Sequence, residues 1–483
     1  MAKYIKKILE YSANTVFNKL LLLLLIPLFT RWLPPEEYAI YTNLLVFISF
    51  AGLIYMVGQQ QTVFSYFYNK KGDEYKFTYI SSIFISIISL GIVLSVIVIL
   101  FHQELSWLIL RTDKYSNLFI LVSLVLFFDV ILGLSMSILN IMEKSTSYLK
   151  VGIIKNALFF LLILACALLH NFSIEKLFLY LAISSCVSAL FASYSIIRTL
   201  RALSHTIEKK CYFSFDLTRN LLVFGVIMIP GTLALISLRL SDRLMLTYFS
   251  PNSLYDVGIY AVGYRIGMII TIINSLVSLV WFPYAMKKDT QTAPEVFKKI
   301  FYNYVLYGGL AGIAILMVTP EIFSLFIDKN YYAAMPLVIF GVASNFLYGV
   351  YNIINLNLYK KQKATYISAA VGIGAIVNLI LNYLLIPKFG VYGAGYASIL
   401  AYLLIVVINY VYSRKFFTVT YRIELVLFVV LSLIGISYIM CLIPVSWLSG
   451  IIKLIVLIVV SYVIVKKLVK NPNRLFKYRF IER

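Results

Sequence analysis

Residues 14–41 read NTVFNKLLLLLLIPLFTRWLPPEEYAIY, and this stretch governs the interpretation of the whole chain. Six consecutive leucines, Leu20–Leu25, lie in an apolar run that is long enough to cross a bilayer. Lys19 stands inside that run, and Pro27 follows about two helical turns later. Because a charge in hydrocarbon costs at least about 2.5 kcal/mol, Lys19 predicts a functional site rather than a simple membrane anchor.

The composition places the rest of the chain in a membrane as well. Of the 483 residues, 61% are hydrophobic, and the mean hydropathy is +0.91, whereas average chains are about 45–50% apolar. Apolar runs of about 18–25 residues recur from end to end. The sequence therefore predicts an all-α polytopic membrane protein with about fourteen transmembrane helices. We expect no cleavable signal peptide, because the first apolar run is too long and lacks a small-residue cleavage site.

The loop charges predict the orientation of these helices. The net charge of +22 would suggest nucleic acid in a soluble protein, but here the basic residues lie mostly between apolar runs. About thirty of them fall in one alternating set of loops and about seven in the other. By the positive-inside rule, the first set is cytoplasmic and so are both termini. We therefore expect membrane lipids as partners and no nucleic acid.

A weak internal similarity suggests two halves. Residues 247–260, after the seventh predicted span, resemble residues 30–41 when a short gap is allowed, and transporters often carry such symmetry. The predicted organisation is an N-terminal lobe (1–200), a cytoplasmic linker (201–218), a C-terminal lobe (219–412), two further spans (423–465) and a basic tail (466–483). Each lobe would contain six helices, and a central cavity would lie between the lobes.

Charges within the predicted spans are few, and most are basic. A set of cations facing one aqueous cavity would hold a polyanion such as a diphosphate, with Arg offering paired contacts and Lys a mobile charge. Lys19 and Arg265, in the first and eighth spans, are the best candidates, and Arg239 and Lys155 are further ones. The alternatives are structural ion pairs, or snorkelling to the headgroup layer, which fits Lys155 about one turn from the predicted cytoplasmic face.

Four other charged residues are candidates for gating or ion coupling. Asp242 and Arg243 cluster with Arg239 at the external end of the seventh span, and Arg31 ends the first span. Asp129 lies in mid-span and has no partner nearby in sequence, so it could pair with a cavity cation or bind a driving proton or sodium ion. The alternative for the Arg239 group is an interface anchor with a local ion pair.

Prolines within two spans are candidate hinges. Pro27 lies in the first span, and Pro230 and Gly231 lie in the seventh, so both would interrupt a helix at comparable places in the two halves. Fixed bends filled by packing explain them equally well. We find no nucleotide-binding loop, no zinc motif and no nucleophile elbow, and the cysteines form no CxxC pair. No metal, cofactor or catalytic residue is therefore predicted.

Three stretches resemble the bacterial oligosaccharide (polysaccharide) flippase family. Residues 31–41, RWLPPEEYAIY, resemble its first-loop signature. Residues 242–265 look like its loop between the seventh and eighth spans. Residues 378–382, NLILN, with 386–398, IPKFGVYGAGYAS, are similar to its eleventh and twelfth spans. The likeness covers nearly the whole chain, and the three motifs occur in the family's order.

The resemblance implies an alternating-access flippase of the bacterial inner membrane. Its substrate would be an undecaprenyl-diphosphate-linked oligosaccharide, moved to the outer leaflet for O-antigen, capsule or exopolysaccharide assembly alongside a polysaccharide polymerase and a chain-length regulator. Lys19 and Arg265 match positions at which related flippases hold a lipid diphosphate. A multidrug exporter of the same superfamily is the first alternative, although it would favour acidic cavity residues. The alternative from a different class of protein is an enzyme, a membrane-embedded polysaccharide polymerase or ligase.

Overall fold

The computed structural model describes residues 2–59, 62, 72–205, 207, 211–287, 293–416, 419–442, 450, 453 and 455. Every regular element among these residues is helical, which confirms the all-α class. The helices are α1 (Ala2–Trp32), α2 (Pro35–Met56), α3 (Asp73–Leu100), α4 (His102–Leu110), α5 (Leu118–Ile141), α6 (Ser145–Leu168), α7 (Ile174–Ser204), α8 (Phe215–Phe249), α9 (Ser253–Gly267), α10 (Thr271–Lys287), α11 (Ala293–Phe326), α12 (Val338–Lys360), α13 (Ala364–Phe389), α14 (Val391–Phe416) and α15 (Ile423–Leu442).

The chain is a multi-pass membrane protein. Within the described ranges, twelve helical segments are long and apolar enough to cross a membrane. The predicted first span, residues 8–29, lies within α1, a continuous helix of 31 residues that is not among these twelve. Most of the predicted fourteenth span, within 423–465, and the basic tail at 466–483 lie outside the described residues. The segment between α3 and α5 contains the short helix α4 and no separate domain.

Helix surfaces expose apolar side chains in a way that suits lipid rather than water. On α3, Leu100 is 68% exposed, and on α15, Leu431 is 67% exposed. Soluble monomers rarely show large continuous apolar surfaces of this kind. Because a lipid tail solvates such groups as well as a protein interior does, these faces are lipid-facing.

Local sequence signals set the helix starts that position the site. Pro35 is the first residue of α2, where its missing N–H costs nothing, and Glu36 and Glu37 follow at the positive end of the helix dipole. Ser214 caps α8, because its side chain accepts a hydrogen bond from the Leu217 backbone N–H. The family-like stretch at residues 31–41 is therefore a helix–turn–helix junction.

The chain forms two compact units. Unit 1 comprises Met1–Val262 and Ile367–Ile405, and unit 2 comprises Gly263–Tyr366 and Val406–Arg483. The boundaries fall inside α9, α13 and α14. The lobes predicted at 1–200 and 219–412, with the linker at 201–218 and the pair at 423–465, are a different division and stay a prediction.

An aromatic cluster fixes the end of α1 in unit 1. Phe29 packs on Tyr41, with ring centroids 5.2 Å apart, and on Tyr38 at 6.4 Å. All three rings are buried. Because these residues bracket the two prolines at 34–35, they lock α1 against α2 and fix the direction of the helix that carries Lys19.

Close backbone packing organises unit 2. Gly263 and Gly267 lie against the chain leading into α12, and a Cβ at these positions would stand 2.6 Å from Ala334 O and 2.5 Å from Val338 O. Only glycine fits such contacts. The Gly263–Gly267 spacing therefore brings α9 onto α12 as small-residue helix seams in membranes do.

Candidate functional site

Two of the predicted cavity cations act on each other in unit 1. Lys19 on α1 is half-buried, and Arg239 on α8 is exposed. The two side chains lie near enough for their positive charges to repel each other. Like charges brought together where water is partly excluded favour an anion that contacts both, and phosphate is a good match for Lys and Arg.

Arg265 lies on α9 in unit 2, where it is half-buried. It is two residues from both Gly263 and Gly267, which places it about 200° around the helix from the glycine seam. Its side chain therefore points away from α12. The predicted common cavity for Lys19 and Arg265 stays a prediction.

Asp129 and Lys155 form an ion pair across two neighbouring helices. Lys155 Nζ on α6 lies 2.6 Å from Asp129 Oδ1 on α5, and the side chains are 20% and 25% exposed, respectively. The partner that sequence reasoning could not find for Asp129 is therefore Lys155. Because the carboxylate neutralises that ammonium, the pair offers an anion less net charge than an unpaired lysine would.

Asp129 also lines a cavity of about 250 Å³ in unit 1. The cavity lies between α2, α5 and α8, and its polar lining includes Ser49 and Thr232. A carboxylate, hydroxyl groups and room for several waters make this a wet site. The Asp129–Lys155 ion pair therefore lies at the edge of a polar cavity.

The helices α2 and α8 contact each other on both sides of this cavity, and we call these two contacts the external and the cytoplasmic closure. At the predicted external end, Asn43 Nδ2 donates to Thr247 Oγ1 at 2.7 Å, and both residues are buried. At the predicted cytoplasmic end, Gly58 lies against Gly225, and Gln59 Nε2 donates to Leu221 O at 2.9 Å. We call this pair of contacts and the cavity between them the α2–α8 seam.

Glycine is required on both sides of the cytoplasmic closure. Gly58 has a φ of +64°, and a Cβ there would stand 2.3 Å from Gly225 O. A Cβ on Gly225 would stand 2.0 Å from Val57 O. The two backbones therefore touch without side chains between them, and any larger residue must separate α2 from α8.

Asp242 on α8 is a buried carboxylate, 1% exposed, with neutral donors around it. Tyr260 Oη donates to Oδ2 at 2.8 Å, and Ser398 Oγ donates to the same oxygen at 2.6 Å. Asn382 Nδ2 donates to Oδ1 at 2.9 Å. These donors come from α9, α14 and α13, so one side chain ties four helices of unit 1 together.

Two amides extend this cluster along α13. Asn378 Oδ1 accepts from Asn382 Nδ2 at 3.1 Å and from Ser241 Oγ at 3.3 Å. Asn378 Nδ2 and Asn382 Oδ1 are buried and have no hydrogen-bond partner within the described part of the chain. An unsatisfied amide oxygen next to a buried carboxylate is suited to bind a small cation, or a hydrogen-bond donor such as hydronium.

The remaining predicted residues lie at helix ends or bends. Arg243 is 7% exposed, and its Nη1 donates to Arg239 O at 3.1 Å. Arg31 is exposed in the last turn of α1. Pro27 and Pro230 are interior to the continuous helices α1 and α8. A Cβ on Gly231 would meet nothing within 4 Å, so packing does not require this glycine.

Sequence reasoning missed the partners of Asp242. The three partners and Asn378 lie in stretches that resemble the flippase family, but the sequence assigns none of them a role. Asn378 and Asn382 lie in residues 378–382, Tyr260 in residues 242–265 and Ser398 in residues 386–398. The available signal was the spacing of two amides four residues apart in an apolar run, which puts both on one helix face. Within the described residues, no group of three or more His, Cys, Asp or Glu side chains could hold a metal ion.

The chain shows similarity to known proteins throughout its length. The family model described as "Polysaccharide biosynthesis protein" matches residues 4–289. The "Uncharacterized membrane protein MJ1068" of Methanocaldococcus jannaschii is 27% identical over 311 residues, which cover 60% of this chain and 58% of that protein. The "Probable low-salt glycan biosynthesis flippase Agl15" of Haloferax volcanii is 24% identical over 170 residues, or 34% of this chain and 36% of that protein.

A solved structure shares the fold over nearly the full length. The chain is similar to "Lipid II flippase MurJ, inward closed conformation" with a TM-score of 0.75 and 17% identity, covering 95% of this chain and 99% of that one. At this identity the likeness concerns the fold. By sequence, the matches to the two archaeal proteins span less than two thirds of their lengths.

Proposed function

Because the chain belongs to the polysaccharide biosynthesis protein family, we propose that it carries a lipid-linked oligosaccharide from one membrane leaflet to the other. Two relatives with this kind of fold or sequence are named flippases, one for lipid II and one for a glycan pathway. The substrate we propose is a polyprenyl-diphosphate-linked repeat unit such as an undecaprenyl diphosphate glycan. It would move from the cytoplasmic to the external leaflet of a bacterial inner membrane, for O-antigen, capsule or exopolysaccharide assembly.

The observation that carries the proposal is the placement of two cations, Lys19 and Arg239, close together in the membrane-spanning part of unit 1. A diphosphate that moved through hydrocarbon unaccompanied would cost tens of kcal/mol. Two neighbouring cations attract such an anion more strongly than one does. Transport then needs no bond formation, so the protein acts as a carrier rather than an enzyme. Arg265, in unit 2, stays a predicted phosphate contact.

Ion coupling is assigned in the proposal to the buried Asp242 cluster. The buried Asp242 carboxylate and the neighbouring unsatisfied Asn382 oxygen offer oxygen ligands that suit a sodium ion. Because the four helices α8, α9, α13 and α14 meet at this side chain, a change in its charge would alter their packing. Asp129 is the second coupling candidate, with Lys155 as its exchangeable partner.

The charge pattern distinguishes this proposal from drug export. An exporter of cationic drugs would need unpaired acids in its cavity. Asp129 is neutralised by Lys155, so it is not an unpaired acid for a cationic drug, and Asp242 is enclosed between four helices at 1% exposure.

The decisive experiment follows a fluorescent undecaprenyl-diphosphate oligosaccharide between leaflets of vesicles that contain the purified protein. We expect transfer by the unaltered chain and at least tenfold slower transfer by Lys19→Met and by Arg265→Met. Lys329→Met is the matched control, because Lys329 is an exposed lysine at the start of the turn before α12. Full activity of both cavity variants, or equal loss in the control, would contradict the proposal.

The same vesicles test the coupling ion. A proton gradient and a sodium gradient are imposed in separate arms, and the one that accelerates transfer identifies the ion. Transfer that neither gradient changes would refute the coupling role. In cells, the unaltered gene should restore surface polysaccharide to a flippase deletion strain, and substituted-cysteine labelling should place both termini in the cytoplasm. Association with a polymerase and a chain-length regulator is testable by crosslinking in that strain.

A further inference from the structure

Unit 2 contains its own cavity of about 270 Å³ between α10, α11 and α12. Side chains from one face of each helix line it. On α10 these include Asn274, Ser278 and Trp281, which are four and three residues apart. A stripe on α12 faces them, formed by Tyr348, Asn352 and Tyr359. We call this space the aromatic cavity.

The floor of the aromatic cavity is a buried polar network. Tyr304 Oη donates to Asn274 Oδ1 at 2.6 Å, and Asn274 Nδ2 donates to Asn345 O at 2.8 Å. Gly349 makes room for this phenol, since a Cβ there would stand 1.9 Å from Tyr304 Oη. The Asn274 side chain is therefore satisfied and fixed, so the floor presents a rigid polar surface.

The mouth of the cavity is aromatic and partly open. Phe282 and Tyr359 meet edge-to-face with ring centroids 5.7 Å apart, and they are 37% and 43% exposed. Just beyond them, Lys360 Nζ donates to Met286 O at 2.7 Å and ties the end of α12 to the end of α10. The opening thus has a defined edge and lies at the predicted cytoplasmic ends of these helices.

Polar groups in the cavity wall remain available to a ligand. Asn352, Ser278 and Tyr359 line the space, and their side chains make no hydrogen bond to any other described residue. An acyl chain in this space would leave these groups unsatisfied. The cavity therefore suits a molecule that has both apolar faces and hydroxyl groups.

The charge of the lining residues further restricts the class of ligand. The described lining residues include no Asp, Glu, Lys or Arg, so nothing in the wall would compensate a phosphate or a carboxylate. The volume lies near the lower end of the range for small-molecule sites, about 300–1,000 Å³. One ring of monosaccharide size, stacked on an aromatic face and held by amide and hydroxyl groups, meets these conditions.

We propose that the aromatic cavity is a subsite for a single neutral sugar residue, with Trp281 as the stacking platform and Asn352 as the hydroxyl-binding group. The inference rests on the proposed function in that the sugar would belong to the carried oligosaccharide. It adds a second recognition element, chemically distinct from the cations that bind the diphosphate. The chain would thereby select its cargo by sugar as well as by phosphate.

The test measures sugar binding separately from transport. Trp32, Trp107 and Trp447 are replaced by Phe in the full chain, so that Trp281 alone reports by fluorescence in lipid nanodiscs. Glucose, galactose, mannose and N-acetylglucosamine are titrated, with glucuronate and 1-octanol as charged and apolar probes. We expect a saturable change with at least one neutral sugar, and about tenfold weaker binding in Asn352→Leu, since one hydrogen bond to a ligand is lost.

Matched variants control for nonspecific effects. Asn117→Leu replaces an exposed asparagine at the start of α5, and Tyr438→Phe removes an exposed hydroxyl from α15, as Tyr359→Phe does in the cavity. The two control variants should bind sugar as the parent does, and Tyr359→Phe should bind it more weakly. Thermal unfolding of the chain with all four tryptophans, in the same sugars, gives a second readout that does not depend on the tryptophan replacements.

The following outcomes support or overturn the sugar subsite. A neutral sugar that shifts Trp281 fluorescence and loses affinity in Asn352→Leu supports the subsite, even if the parent protein fails to transfer lipid-linked oligosaccharide and the proposed function falls. The subsite is overturned if no neutral sugar acts by either readout while transfer proceeds, or if octanol or glucuronate binds in their place.

Discussion

Replacing Gly225 by alanine tests whether the cytoplasmic closure of the α2–α8 seam is a moving gate. The new Cβ would stand 2.0 Å from Val57 O, whereas ordinary van der Waals contact begins at 3.4 Å. The two backbones must therefore separate by 3.4 − 2.0, or about 1.4 Å, at this point. The same shift would stretch the Gln59–Leu221 hydrogen bond from 2.9 Å to about 4.3 Å, which is too long for a hydrogen bond.

The energetic effect follows from these distances. Forced overpacking costs about 1–3 kcal/mol and a lost hydrogen bond about 0.5–1.5 kcal/mol. The closed arrangement should thus lose about 1.5–4.5 kcal/mol relative to an open one in which α2 and α8 are apart. At about 1.4 kcal/mol per factor of ten, the open-to-closed ratio should rise roughly 10- to 1,600-fold.

The assay is chemical access to the cavity behind the closure. Ser49, which lines that cavity, is replaced by Cys in a chain whose four native cysteines are serine. Inverted vesicles are treated with a membrane-impermeant maleimide. We expect Gly225→Ala to raise the labelling rate at least tenfold and to slow leaflet transfer, because the closed state is reached less often.

Gly372→Ala is the matched control for this experiment. Gly372 is also a helical glycine of unit 1, but a Cβ there would meet nothing within 4 Å. It should leave the labelling rate unchanged. The reasoning is refuted if Gly225→Ala folds and is labelled at the parental rate, or if Gly372→Ala raises labelling by the same factor.

Three further predictions separate function from stability. Lys19→Met should raise the melting temperature of the ligand-free protein, since it removes a partly buried charge and its repulsion from Arg239. Lys19→Arg should retain leaflet transfer. A fall in the melting temperature of Lys19→Met would indicate that Lys19 forms a structural pair instead. Asp129→Asn should cost about 1.5–3 kcal/mol of stability, because it leaves the Lys155 ammonium, now 2.6 Å from the carboxylate, without its counterion. Adding Lys155→Met should recover most of that loss in a double-mutant cycle measured by thermal unfolding. Additive losses would argue against the pair. Gly231→Ala should stabilise α8 by about 1 kcal/mol. It should also slow leaflet transfer if α8 bends at Pro230 during the transport cycle. Unchanged transfer would show that α8 keeps one shape at Pro230.

The fold was predictable because its determinants are local. Runs of apolar residues and breaks at proline, glycine and basic residues define helices whatever their neighbours are. Gly263 and Gly267, four residues apart in sequence, lie on one helix face, and the structure packs them against the start of α12. In each case the sequence within one helix carries the required information.

The site was less predictable because its contacts join distant parts of the chain. Asp129 was recognised as a buried charge, but Lys155 lies 26 residues away on the next helix. Asp242 was placed at a helix exit, whereas its donors are 18, 140 and 156 residues away. The aromatic cavity gave no sequence signal, since Trp281 and Asn352 look like ordinary residues of an apolar helix until three helices face each other.

The two closures of the α2–α8 seam differ in how they are built, although both are buried. The external closure is a side-chain hydrogen bond from Asn43 Nδ2 to Thr247 Oγ1. Because Thr247 Oγ1 also donates to Arg243 O at 2.9 Å, separating the helices there costs chiefly the hydrogen bond of the Asn43 amide. The cytoplasmic closure is backbone on backbone at Gly58 and Gly225, beside a buried hydrogen bond from Gln59 Nε2 to Leu221 O. Pro230 lies between the two and removes a helix hydrogen bond from α8. Each closure therefore loses one buried side-chain hydrogen bond on opening, and only the cytoplasmic one depends on two glycines. Gly225→Ala disturbs that closure alone, so its labelling and transfer rates decide whether the cytoplasmic end must close during the cycle.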